Sequence, residues 1–328
     1  MNIKNPSISI VIPNYNGFKL LPETIEHAKN ALKSSGLSDF EIIVSDDAST
    51  DRSLDLLAQS FPDVILVKSK ENSGFAGNVN RGIQRSTKEL VCLLNSDVHL
   101  QEGYFTAQVP LFENPMVFGV MGLIQEQGTK VFQDGAKLPS VSNVKIDSNK
   151  NNFSEHEVLP TLFLSGANAL LRASYLKEMG GLNESFNPYY AEDVELGIRA
   201  WRMGWTLLYQ PASRCFHAQS STILKLPSDH VRTVAKRNKH FLHFLHLPDG
   251  FLWVYVLQVS VKAFFQVMMG NRVHGKALLS FYRAIPALMK QRQAFQNSSI
   301  NGRVLSLMEV RKKILRLMEL SQTTANPS

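Results

Sequence analysis

Short β-branched runs recur through the first hundred residues, and between them lie segments whose apolar positions return at helical spacing. SISIVIP (7–13) and FEIIVS (40–45) carry strand patterns, and Leu20, Leu21, Ile25, Ala28 and Leu32 between them lie on one helical face, which together predict a βαβ unit. A helix over Ser53–Ser60, a strand at Val64–Lys68, a helix over Phe75–Ser86 and a strand at Leu90–Leu94 continue the alternation. That order is the signature of a parallel, doubly wound sheet. Between about 125 and 160 the pattern loosens into polar sequence, which predicts hairpins or a loop over the sheet end, where specificity often resides. LPTLFLSGANALLRASYL restores a strand and a helix, Val194, Leu196, Ile198 and Ala200 mark another helix, and TLLYQPASRCFHAQSS reads as two short strands and a polar loop.

After residue 222 the character changes, which divides the chain into an α/β domain over 1–222 and a helical region over 223–328. Asp229–His246 reads as a basic helix, and FLWVYVLQVSVKAFFQVMM (251–269) is the most apolar stretch of the chain. It is long enough to span a bilayer, yet Gln258, Lys262 and Gln266 recur at fourfold spacing on one face, which suits a helix lying in the interface. Trp253, Tyr255 and the apolar, basic segment 276–292 agree with that placement.

Charge sharpens the division. The net charge is +7, but residues 236–328 alone carry +11 and the remainder −4. A basic tail serves nucleic acid, an anionic membrane or solubility. Here the charges interleave with Phe, Leu, Val and Trp, which favours an anionic membrane surface and argues against nucleic acid. With 44% hydrophobic residues the chain can bury a large core, and Cys92 and Cys215, set in apolar runs, read as buried reduced thiols. The N-terminal apolar run is broken too soon by Pro13 and Asn14 for a signal peptide, so the expected location is cytoplasmic, peripheral on the membrane face.

Candidate chemistry gathers at strand ends. The first strand runs into Pro13, Asn14, Tyr15 and Asn16, and the second into Asp46 and Asp47. In open α/β sheets such loops border the ligand crevice, so Tyr15 can meet a nucleobase while Asp47 takes a base or ribose donor. One of the two aspartates can instead cap the helix that follows Ser49-Thr50-Asp51. The small-residue segment from Asn72 through Gly74 to Asn80 opens a helix and lets backbone amides approach a ligand. Asp97 follows an apolar strand and is placed to hold Mg²⁺ or Mn²⁺ against a diphosphate. Glu192 and Asp193 begin a helix and are the candidate catalytic carboxylates, with Asp193 as the base; an acidic N-terminal cap is the competing reading. Of the histidines, His217 is the one whose place in a loop after a strand suits a metal or phosphate contact.

The ordered set VIPNYNG, DDASTD, NSGFAGNVNRGI, LLNSDV, FLSGANALL, GGLNESFNPYYAEDVELGIRAWRMGW and FHAQSS, across residues 7–220, resembles family 2 glycosyltransferases with the GT-A fold. The resemblance implies that Pro13, Tyr15 and Asp47 surround the base and ribose, and that Asn72, Gly74 and Asn80 contribute to the nucleotide pocket. It further implies that Asp97 is the metal-holding last residue of a D-x-D-type motif, Asp193 the catalytic base, and His217 a metal or diphosphate contact. Asn95 replaces the first acid of that motif, and no Q-x-x-R-W of the processive synthases follows His217, which argues for adding one or a few sugars. The tail is similar to the membrane-associated tails of rhamnosyltransferase-like bacterial members that build surface polysaccharide. The expected function is therefore inverting transfer from a nucleotide sugar to a lipid-linked glycan. Transfer to polyprenyl phosphate itself, or a non-catalytic nucleotide-sugar-binding role, are the alternatives.

Overall fold

The computed structural model describes residues 5–129, 131–142, 145–147, 151–217, 227–298 and 303–325. The first strand, β1 (Ile8–Asn14), shows how the core is laid down. Its pleat sends Ile8, Ile10 and Ile12 into one apolar layer and Val11 into another on the opposite face. A strand buried on both faces reads as a continuous apolar run and belongs at the centre of a sheet.

The chain then alternates α1 (Leu21–Ser34), β2 (Phe40–Asp46), α2 (Ser53–Ser60), β3 (Ile65–Lys68), α3 (Gly74–Arg85) and β4 (Leu90–Leu94), as the pattern predicts. β5 (Val98–Leu100), a 3₁₀ turn (Val109–Glu113) and the long β6 (Val117–Glu126) follow. The polar excursion forms β7 (Phe132–Asp134), β8 (Ala136–Lys137), β9 (Ser140–Ser142), β10 (Lys145–Asp147) and β11 (Asn151–Asn152), with β9 paired to β10 and β8 to β11. β12 (Leu159–Pro160), β13 (Asn168–Arg172), α4 (Ala173–Glu178), α5 (Glu192–Arg202) and β14 (Thr206–His217) complete the α/β part.

The main sheet has the order β12-β14-β6-β13-β4-β1-β2-β3, with β5 on β14 and β7 on β6. Strands β3, β2, β1 and β4 are parallel. β13 then runs antiparallel to both neighbours, and β6 and β14 are parallel again, so the sheet is mixed with a parallel half. Because β1 is flanked by β2 on one side and β4 on the other, the crevice of the topological switch opens above its carboxyl end.

One sequence expectation changes here. TLLYQPASRCFH is one strand, not two, and its register jumps from Gln210 opposite Gly122 to Arg214 opposite Leu123. Pro211 lies in that gap and has no N–H for the ladder, so the interruption is local and pairing resumes beyond it.

The helical region comprises α6 (Ser228–His246), α7 (Asp249–Met268), α8 (Arg272–Asn297) and α9 (Leu307–Ala325). The residue 222 boundary lies outside the described residues. Phe241, Leu245, Phe281, Val310 and Ile314 from these helices share one apolar cluster with Val79, Phe118 and Trp201 of the α/β part. α5 is therefore enclosed between sheet and helices. At Gly197 a Cβ would lie 2.6 Å from the Cα of Phe163 and 2.8 Å from the carbonyl oxygen of Leu162, so only glycine lets this helix approach so closely.

Candidate active site

The loops above β1 and β2 are stitched together by side chains that the sequence marks as binding candidates. Asn14 is buried and donates from Nδ2 to Asp46 Oδ2 at 2.8 Å and to Ser49 Oγ at 3.1 Å, while Asp46 Oδ1 accepts from Ser49 N at 3.0 Å. Asn16, at φ 55°, accepts from Thr50 N at 2.8 Å through Oδ1. These bonds fix the rim of the crevice. Pro13 is half-buried beneath it, and Tyr15, 43% exposed, stands free as a flat face at the mouth. Asp51, one residue before the N-cap Arg52 of α2, accepts from Ser53 N at 3.0 Å, whereas the backbone amides bonded by Asp46 and Asp47 are those of Ser49, Ser73 and Gly74, outside that helix.

Asp47 is occupied elsewhere. Its carboxylate accepts from Ser73 N and Gly74 N, each at 3.0 Å, from Ser73 Oγ at 2.9 Å and from the Arg81 guanidinium at 2.5 Å. It thus satisfies amides at the start of α3, where a negative charge is favoured. Asn72 Oδ1 also accepts from Gly74 N, at 3.1 Å. Gly74 has φ +80°, and a Cβ there would lie 2.8 Å from Asn187 Oδ1, so the turn requires glycine. Asn80 turns away from this group: it donates to Leu182 O at 2.9 Å and to Glu184 Oε1 at 2.8 Å, and accepts from Leu182 N at 2.8 Å. Arg81 was not legible as a site residue, because its partner lies 34 positions earlier.

At the ends of β4 and β14 the structure brings Asp97 and His217 together, with Nε2 3.3 Å from Oδ1. His217 Nδ1 faces Gln133 Oε1 at 3.0 Å. The hydrogen bond to Asp97 holds the imidazole above its ordinary pKa against the opposing effect of burial, and Asp134 adds to the rise. Gln133 and Asp134, both on β7, are the residues sequence reasoning missed; they arrive from the polar excursion, and nothing in its composition marks them. Asn95 Oδ1, two residues before Asp97, is buried without a hydrogen-bond partner. A carboxylate, an imidazole and an unsatisfied amide oxygen suit a hard divalent cation that takes its other ligands from a diphosphate and water. No group of three or more His, Cys, Asp or Glu converges on a metal position among the described residues. Residues 218–221 of the FHAQSS motif lie outside the described residues.

Glu192 and Asp193 open α5 behind two consecutive non-glycine residues in the left-handed region, Tyr190 (φ 76°) and Ala191 (φ 71°). Glu192 is buried and its Oε2 lacks a partner, whereas Asp193 is partly exposed and accepts from Val194 N at 2.8 Å. Burial pushes Glu192 up to about 8, aided by the neighbouring Asp193 charge. Burial likewise raises Asp193 to about 6, with the field of Asp134 adding to it. Burial holds both carboxyls above their ordinary range, and because the two charges are neighbours the protons come off the pair rather than off either residue alone. Phe75, Leu164 and Gly166 line the small apolar space beside Asp193.

Comparison with known proteins agrees with this architecture. Residues 9–180, over half of the chain, match the family described as Glycosyl transferase family 2. The N-acetylglucosaminyl-diphospho-decaprenol L-rhamnosyltransferase of Mycobacterium tuberculosis is 25% identical over 231 residues, covering 62% of this chain and 75% of its own. The validoxylamine A glucosyltransferase of Streptomyces hygroscopicus is 28% identical over 225 residues, 59% of this chain and 51% of its own. Among solved structures, GalNAc-T7 with UDP, GalNAc and Mn²⁺ superposes over 99% of this chain and 58% of its own at TM-score 0.67 and 15% identity. A mannosyltransferase from Pyrobaculum calidifontis with GDP-Man and Mn²⁺ covers 98% of this chain and 83% of its own at TM-score 0.53 and 17% identity. These two likenesses show the fold, a GT-A sheet with helices.

The contacts of Asp47 predict a structural cost that is independent of any ligand. Asp47→Asn replaces a charge acceptor shared by amides and a guanidinium, and is expected to lower the unfolding free energy by about 2 kcal/mol without nucleotide. Urea denaturation of the unliganded protein checks this, and an unchanged midpoint would leave Asp47 with a binding role alone.

Proposed function

The chain belongs to glycosyl transferase family 2, and we propose that it transfers a sugar with inversion from a nucleotide-sugar donor to a hydroxyl of a lipid-linked glycan in cell-surface polysaccharide synthesis. The observation that carries this reading is the separation of two acidic groups above one sheet end: Asp97 paired with His217, and Asp193 at the start of α5 with its carboxyl raised to about 6. The name of the mycobacterial relative, which specifies a diphospho-decaprenol-linked acceptor, supports the acceptor class.

In this reading the nucleotide lies over β1, with its base against Tyr15 and its ribose toward the loop that ends in Asp47. Asn14, Asn16 and Asp46 hold that rim, while Asn72 and Gly74 shape the turn next to it. Asn80 contributes from behind, by fixing Leu182 and Glu184. Asp97, His217 and Asn95 would hold Mg²⁺ or Mn²⁺, which neutralises charge on the departing diphosphate. Asp193 takes the proton of the acceptor hydroxyl as that oxygen bonds to the anomeric carbon. The bond from that carbon to the diphosphate oxygen breaks on the opposite face, and the electron pair leaves with the nucleoside diphosphate. Glu192, protonated at neutral pH, adds no second negative charge beside the base.

The helical region supports work at a membrane surface. α7 is the one helix long and apolar enough to cross a bilayer among the described residues. It rests on the protein through Leu252, Tyr255 and Ala263, and turns Trp253, Leu257, Phe264 and Met268 outward, each at least 62% exposed. Gln258 and Lys262 border that apolar stripe. α8 packs alongside and exposes Arg272, Lys276, Arg283 and Lys290, which a crossing α7 would draw into hydrocarbon at a cost of about 2.5–3.5 kcal/mol for each centred charge. Lys236 of α6 sits within the fields of both Lys262 and Lys239. This surface fits anionic headgroups on the cytoplasmic face, with α7 embedded in the plane.

Three outcomes test the reading. Asp193→Asn is expected to cut sugar transfer by about 100-fold or more with nucleotide binding nearly intact, and wild-type transfer should fall as pH drops through about 6, as Asp193 takes up a proton. Nucleotide release from UDP, GDP and dTDP sugars with a membrane lipid extract reads both effects, and retained turnover in Asp193→Asn removes the base assignment. Asp97→Ala should weaken nucleotide binding in Mn²⁺ but not in its absence; equal affinities under the two conditions in the wild type would count against the metal site. In flotation with anionic vesicles the wild type should rise with the lipid, and a Trp253→Ser, Leu257→Ser, Phe264→Ser variant should stay in the dense fraction; no flotation of the wild type would sink the membrane placement.

A further inference from the structure

We propose that Asn238, in the helical region, is a positioning residue for the carboxylate that deprotonates the acceptor, so that α6 is part of the catalytic apparatus as well as of the membrane surface. The inference rests on the reading of Asp193 as the base.

The turn that delivers α5 to the crevice is held from both sides. On the nucleotide side, Phe75 N donates to Pro188 O at 2.9 Å, and Ala76 N to Asn187 Oδ1 at 3.0 Å. On the other side stands Asn238, fully buried on α6. Its Nδ2 lies 2.6 Å from Phe186 O, 2.9 Å from Tyr189 O and 2.8 Å from Tyr190 O. Two amide hydrogens thus serve three carbonyls that chain direction would otherwise leave without nearby amides. Arg237 orients the amide, donating to Asn238 Oδ1 at 2.9 Å from Nε and 2.7 Å from the terminal nitrogen, and also donating to Asn187 O.

What the staple holds is conformationally costly. Immediately after it, Tyr190 and Ala191 both take left-handed φ values, and Ala191 gives α5 no side-chain cap. Such residues persist only where their surroundings over-determine them. If the Asn238 amide is withdrawn, the cheapest relaxation rotates the Tyr190-Ala191 peptides, and Glu192 and Asp193 move with them. Asn238 makes no hydrogen bond to the sheet or to the loops above β1 and β2, and the turn keeps its own bonds to Phe75 and Ala76 at the start of α3. Misalignment of a base by about 1 Å costs on the order of 100-fold in rate.

The test separates placement from stability and from the base assignment. In the full-length protein with lipid extract, Asn238→Ala is expected to lower kcat by about 100-fold while the Kd for the donor nucleotide in Mn²⁺ shifts by less than about threefold. Ala191→Gly removes the penalty of the left-handed conformation, so the double variant should recover about tenfold of that loss, which a general loss of packing would not. Asn238→Ser, which retains one donor, is run beside them and is expected to fold and give an intermediate kcat. Full kcat in Asn238→Ala, equal losses of kcat and nucleotide affinity, or no recovery in the double variant would each overturn the proposal. Asp193→Asn is measured in the same assay: if it retains turnover, the underlying reading fails, whereas an inactive Asp193→Asn beside a fully active Asn238→Ala defeats this inference alone.

Discussion

A helix that is buried on almost every side has to keep one charged end in working contact with solvent. In α5 every residue except Asp193 and Arg199 is buried, and the interior half carries charge as well. Glu195 accepts from Arg199 Nε at 3.0 Å and from a terminal nitrogen at 2.9 Å, and lies 3.5 Å from His246 Nε2. Arg199 also donates to Gly181 O, and Arg202 donates to Leu305 O at 2.9 Å. Removing one partner from such a buried set costs about 3–5 kcal/mol, because the other charge remains desolvated. The helix is therefore pinned from Glu195 onward, and Gly197 against Phe163 fixes its depth.

The same burial supplies the chemistry. Desolvation that makes His246 of α6 a weak base, lowered to about 4, also raises Glu192 and Asp193 at the start of α5. Packing and acid-base tuning are one physical effect, read on two helices that meet at Glu195. The opposite wall differs in kind. Asp97 and His217 stand at strand ends, partly exposed, and the hydrogen bond between them is the main cause that raises His217. The two walls communicate through Asp134, whose charge acts on both His217 and Asp193.

Much of this was legible from residue order, and its limits have physical causes. The elements of the first hundred residues follow from periodicity because β1 and β4 are buried on both faces and α1 on one. The antiparallel insertion of β13 between β4 and β6 was not legible, since strand direction leaves no trace in a local pattern. Pro211 concealed the continuity of β14, because a missing N–H looks the same at a strand end and at an irregularity. Strand-end acids marked the crevice, yet their division of labour depended on distant partners: Arg81 for Asp47, and Asn238 for the turn before Asp193. Asn80 lies in the right segment and faces the other way, which helical phase alone decides only once the neighbouring loop is placed.

β7 carries a consequence for how such proteins diversify. The polar excursion between β6 and β12 has the look of an exchangeable specificity cassette, hung on the end of β6 by a short antiparallel pairing. It is also the source of Gln133, which faces His217, and of Asp134, whose charge adds to the rise of both His217 and Asp193. Replacing the excursion would therefore take one negative charge away from two groups that lie on opposite sides of the crevice.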